Sequence, residues 1–151
     1  MSDGTGLMAD AGEKQDMSKV STTMIQTWAG VGLILASGAI HALGAQEMFE
    51  EVHYMGMLFA LSVIGAVAAA IGIWRGERWG WQLGALVAGG SIIAYFVTRT
   101  IGFPGFRENS WEDFTEPIGV VSLIVEGMFV ATALWVLTAR SAVGTARVTP
   151  S

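Results

Sequence analysis

Four apolar stretches of about 20 residues, separated by short polar joints, take up most of this 151-residue chain and limit what it can fold into. They run roughly from Met24 to Ala45, Tyr54 to Trp74, Trp81 to Thr100 and Pro117 to Ala139. As a helix rising 1.5 Å per residue, each is long enough to cross about 30 Å of hydrocarbon. Charged residues make up only 14% of the chain, against about 25% in an ordinary soluble domain. The expected fold is therefore all-α, a four-transmembrane-helix antiparallel bundle. Residues 1–20, acidic and without apolar periodicity, are expected to form a disordered cytoplasmic tail, 21–140 the membrane domain, and 141–151 a cytoplasmic C-terminal tail.

Orientation follows from the basic residues of the joints, because cytoplasmic loops are enriched in Lys and Arg. Lys14, Lys19, Arg75, Arg78, Arg140 and Arg147 fall on one side, and Arg99 and Arg107 on the other. Both termini are thus expected in the cytoplasm, with the protein multi-pass in the plasma membrane. Trp28, Trp74, Trp79, Trp81 and Trp135 should collect at the cytoplasmic boundary, and Tyr54, Phe103, Phe106, Trp111 and Phe114 at the outer one. Asp3, Asp10, Glu13 and Asp16 speak against a cleaved secretory signal. With no cysteine, the chain has no disulfide, thiolate metal site or iron–sulfur cluster. Its net charge of −5 argues against a nucleic-acid partner.

Lipid tails are as apolar as Leu, so membrane helices associate through close packing and interhelical hydrogen bonds. Small residues recur at four-residue spacing: Gly76, Gly80, Gly84 and Ala88 into the third span, Ala68 and Gly72 in the second, Gly127 and Ala131 in the fourth. These should pack within one chain. The joint Arg75-Gly76-Glu77-Arg78 is short enough to set the second and third spans side by side. Ala36–Ala42 in the first span and Ala88–Ala94 in the third match at four alternate positions, which an old duplication of a two-helix hairpin would also produce.

Few residues can carry chemistry. Glu126 lies nine residues after Pro117, about 13 Å into the membrane. A carboxylate there is expensive, so it should face the bundle interior and be protonated or paired. It is either a proton-handling or ligand group, or a neutral carboxyl bonded to Tyr95, Ser91 or a backbone carbonyl. His41 and His53 flank a short joint with Glu47, Glu50 and Glu51 beside them, a donor set acceptable to a metal ion or haem, although interfacial histidines also serve as simple polar anchors. Arg99, at the outer end of the third span, either snorkels to the interface or turns inward to Glu116 or Glu126. After the Pro104-Gly105 turn, the aromatic residues can lie over the outer mouth as a lid.

The run from Gly72 to Trp81, then Thr98-Arg99-Thr100-Ile101-Gly102-Phe103-Pro104-Gly105, with Glu116-Pro117 and Glu126 afterwards, resembles a group of uncharacterised small four-helix membrane proteins of actinobacteria and related prokaryotes. The resemblance covers about residues 25–140. It implies the same topology, singles out Arg99, Pro104, Gly105 and Glu126, and carries no activity with it.

These features fit an integral membrane binding or accessory protein. Its outward-facing polar pocket, built from His41, His53, Tyr95, Arg99, Glu116 and Glu126, would take a metal ion, haem or small ligand, or dock on a larger membrane complex. A small proton-coupled transporter acting as a homo-oligomer is the alternative, with a purely structural subunit behind it. No nucleophile triad, phosphate loop or metalloprotease motif suggests an enzyme.

Overall fold

The joint after the second span shows how local chemistry sets the architecture. In the computed structural model α2, His53–Trp74, ends in a Schellman motif. The Glu77 N–H donates to the Gly72 carbonyl and the Gly76 N–H to the Ile73 carbonyl, each at 2.9 Å. Gly76 takes φ +77°, a conformation glycine adopts without the penalty other residues meet. Three residues then suffice before α3, Arg78–Thr100, begins. Gly76, expected in the packing stripe, is a turn residue with open space around it.

The structure describes the backbone of residues 4–104 and 117–146, and the side chains of Lys14, 17–46, 49–50, 52–104 and 117–139. All four helices are long and apolar enough to cross a membrane. The first, α1, runs from Gly4 to Glu51, and its apolar span covers Met17–Gln46. Residues 4–20 thus continue the helix instead of forming the irregular tail expected from their polarity. Extending an existing helix needs no new nucleus, and Met, Ala, Glu, Lys and Gln all have good helix propensity. For the same reason α1 passes Ala45 and reaches Glu51, leaving Val52 as the sole joint to α2. The fourth helix, α4, opens at Pro117, where a missing N–H costs nothing, and reaches Ala146.

Each helix packs on its neighbours in sequence, and α4 closes the ring on α1. The core joins Ile34 of α1, Ala66, Ala69, Ala70 and Ile73 of α2, Trp81 and Ala88 of α3, and Phe129, Ala133 and Val136 of α4. Glycine makes room for it. A Cβ on Gly80 would strike the backbone of Gly72 and Ile73, and one on Gly84 would sit 2.5 Å from Phe129 Cζ. Gly127 has open space instead, so α4 does not pack through the expected Gly127–Ala131 pair but through Phe129, Ala133 and Val136.

At most a third of any span is buried inside the bundle. The remainder is largely apolar, including Leu43 and Leu86, 75% and 73% exposed, a surface suited to lipid. Trp28, Trp74, Trp79 and Trp135 are exposed as a boundary belt requires. Trp81 is not part of that belt. It is 1% exposed and stacks on Phe129, ring centroids 5.9 Å apart, with its indole edge where a Cβ on Gly30 would stand.

Candidate functional site

Side chains that face the interior recur at alternating three- and four-residue steps, and on three helices they change character at one layer. Along α1, Gly30 and Ile34 give way to Ser37 and His41. Along α3, Trp81, Gly84 and Ala88 give way to Ser91, Tyr95 and Thr98. Along α4, Val136, Ala133 and Phe129 give way to Glu126 and Ser122. The buried polar residues among those described are Ser37, His41, Thr98, Arg99 and Glu126.

Glu126, 1% exposed, is the centre of this layer. The hydroxyls of Ser37, from α1, and Ser122, one turn back on α4, both donate to its Oε1 at 3.2 Å. His41 Nε2 lies 3.7 Å from the same oxygen. The other imidazole nitrogen, Nδ1, is 2.9 Å from the Ser37 carbonyl oxygen. A carbonyl only accepts, so Nδ1 carries a hydrogen and a neutral His41 turns its Nε2 lone pair toward Glu126. Phe59 of α2 flanks the imidazole, ring centroids 5.1 Å apart.

The arrangement suits one mobile proton. With the proton on Glu126, both groups are neutral and the burial cost of a charge is avoided. With it on His41 Nε2, carboxylate and imidazolium face one another, and two serine hydroxyls stabilise the anion. The 3.7 Å gap exceeds a direct hydrogen bond, so transfer requires a side-chain shift of about 0.7 Å or one bridging water.

Other expected site residues lie elsewhere. His53 is exposed and packs edge-on against Phe49, centroids 5.4 Å apart. His41 is level with Phe59, six residues along α2, so the imidazoles differ by about 9 Å along that helix. The pairing of His41 with His53 for a metal or haem is thus not assembled. The reason is the extension of α1 to Glu51, which lifts the joint well above His41. Among the described residues no group of three or more His, Cys, Asp or Glu side chains is placed to hold a metal ion.

Tyr95 packs against α4 at Gly119, where an added Cβ would meet its Cε2 at 2.9 Å and its hydroxyl at 3.4 Å. The Arg99 guanidinium sits over that ring at 3.7 Å, a cation–π contact. Gly119 precedes Glu126 by two turns of α4, about 10 Å, so Tyr95 and Arg99 form a second polar group nearer the end of α3. Glu126 is engaged by Ser37, Ser122 and His41 in place of the expected Tyr95, Ser91 or Arg99. At the rim, the Tyr54 hydroxyl donates to the Pro104 carbonyl at 2.7 Å and ties the start of α2 to the end of α3. Glu116, and the lid expected from Phe106, Trp111 and Phe114, lie outside the described residues.

Ser37 and Ser122 were not singled out from sequence. Their signal is spacing: Ser37 with His41 and Ser122 with Glu126 are polar pairs four residues apart inside apolar helices, and such pairs share a helix face.

Compared with protein-family models, with curated proteins and with solved structures, the chain matches none.

Proposed function

We propose that this is an integral membrane binding or accessory protein organised around a buried proton-binding site, Glu126 with Ser37, His41 and Ser122. The observation that carries this reading is the convergence of two serine hydroxyls and an imidazole nitrogen on one oxygen of an acid inside a membrane-spanning helix. Intramembrane acids that face a bundle interior and meet a titratable partner mark proton relays and ligand sites.

The same proposal takes the bundle as antiparallel in the plasma membrane with both termini cytoplasmic. Gly38 facing Ala66, and Gly44 facing Phe59, support opposite directions for α1 and α2, and the basic residues of the joints support the sidedness. On this reading the site serves either a larger membrane complex or a homo-oligomer that couples the proton to transport.

Dicyclohexylcarbodiimide tests the site, because this apolar reagent requires the acid form of a carboxyl. An adduct is expected at Glu126, forming more slowly as pH rises, absent from Glu126→Gln, and with a displaced pH dependence in His41→Ala. A protein unmodified at Glu126 across the accessible pH range would contradict the proposal.

A further inference from the structure

We infer that Glu126 exchanges its proton with water through one end of the bundle alone, the end at which α3 finishes and α4 begins, along a polar face made by Ser122, Ser91 and Tyr95. This rests on the proton-binding reading of Glu126 and adds a direction to it.

Two observations carry the inference. The first is what lies between Glu126 and that end. Ser122 is bonded to the carboxyl at 3.2 Å. Gly119, one turn farther along α4, lies against the Tyr95 hydroxyl. Ser91 stands one turn from Tyr95 on the same face of α3, and Thr98 and Arg99 continue that face to the helix end. The path also draws on glycine, since a methyl at Gly119 would press on the Tyr95 ring at 2.9 Å. Hydroxyls at such spacing, with waters between them, relay protons without burying a charge.

The second observation is the seal on the opposite side. Immediately past Glu126, Phe129 is fully buried, stacked on Trp81 and set against Gly84. Ile34, Ile73, Ala133 and Val136 complete an apolar layer. Of the polar side chains of that half, Thr27, Thr132 and Thr138 donate to carbonyls of their own helices and Gln82 is exposed, while half-buried Gln26 lies one turn beyond Gly30, outside the apolar layer. An apolar plug of this kind stays dry. Among the described residues, the titratable and charged groups facing Glu126 are His41 from α1 and, farther out, Tyr95 and Arg99 from α3; α2 contributes Phe59.

The cysteine-free chain allows a direct test in sealed vesicles. Glu77→Cys and Pro104→Cys, at exposed joints on the two sides of α3, define the two compartments. Silver ion, a small thiol-specific cation, is added from one side, and unreacted thiols are counted with a maleimide after denaturation. Ser122→Cys and Ser91→Cys should react only from the Pro104→Cys side, about tenfold or more faster than Ala133→Cys, since thiols in apolar surroundings are inert. Reaction from the Glu77→Cys side, or rates at both serine positions no greater than at Ala133, would overturn the inference. The carbodiimide adduct at Glu126 reports separately on the site, so failure of the path and failure of the site are distinguishable.

Discussion

Glu126 and Phe129 stand three residues apart on α4, face the same interior and are equally hidden, at 1% and 0% exposure, yet they are held by different means. Phe129 is held by shape: Trp81 stacks on it, and the missing side chain of Gly84 gives its ring a place. Glu126 is held by hydrogen bonds from Ser37 and Ser122. Lipid offers no reward for simply removing apolar surface from water, so the apolar half depends on close backbone approach. The polar half depends on satisfied acceptors. Size should therefore matter most on one side of the layer, and polarity on the other.

The largest effect should come from Gly80→Leu. Its side chain would have to enter the backbone of Gly72 and Ile73, at a cost upward of about 3 kcal/mol. Thermal unfolding in detergent should show a large fall in Tm, and an unchanged Tm would mean that α2 and α3 do not meet there. Phe129→Ala leaves a cavity beneath Trp81 and should cost about 3 kcal/mol by the same measurement. If it cost no more than a polar-layer substitution, the division into two halves would fail.

In the polar half, Ser122→Ala and Ser37→Ala each remove a hydroxyl from Glu126 and should cost about 1 kcal/mol. Their effects should couple, since both bond one oxygen. Strict additivity would mean that the two hydroxyls act independently. No loss is expected from Gly89→Ala, where a Cβ meets nothing within 4 Å and helix propensity favours alanine, so stability should hold or rise by at most about 1 kcal/mol.

The sequence carries the spans, the turn at Gly76 and the helix start at Pro117 plainly, because each depends on local composition or backbone chemistry. Glu126 was legible as the acid in the middle of an apolar span. Its partners were not, because they depend on how α1 and α4 are rotated about their own axes. Trp81 lies two residues from Trp79 and shares its composition signal, but its spacing to Gly84 and Ala88 puts it on the face that packs inward. The misplacement of His53 came from ending α1 at Ala45: helix-forming residues carry it another turn and a half to Glu51. Ala36–Ala42 and Ala88–Ala94 match in sequence but occupy different surroundings. Ser37 and Gly38 are buried, whereas Gly89 and Gly90 have open space.

Infrared difference spectroscopy across a pH change reads the central claim most directly, because a protonated carboxyl has a carbonyl band that a carboxylate lacks. The expected result is one band that appears and disappears reversibly with pH, is absent from Glu126→Gln, and shifts in frequency when Ser37 or Ser122 is replaced by Ala and a hydrogen bond to the carboxyl group is lost. A wild-type spectrum indistinguishable from that of Glu126→Gln at every pH would contradict a proton-binding carboxyl held by Ser37, His41 and Ser122.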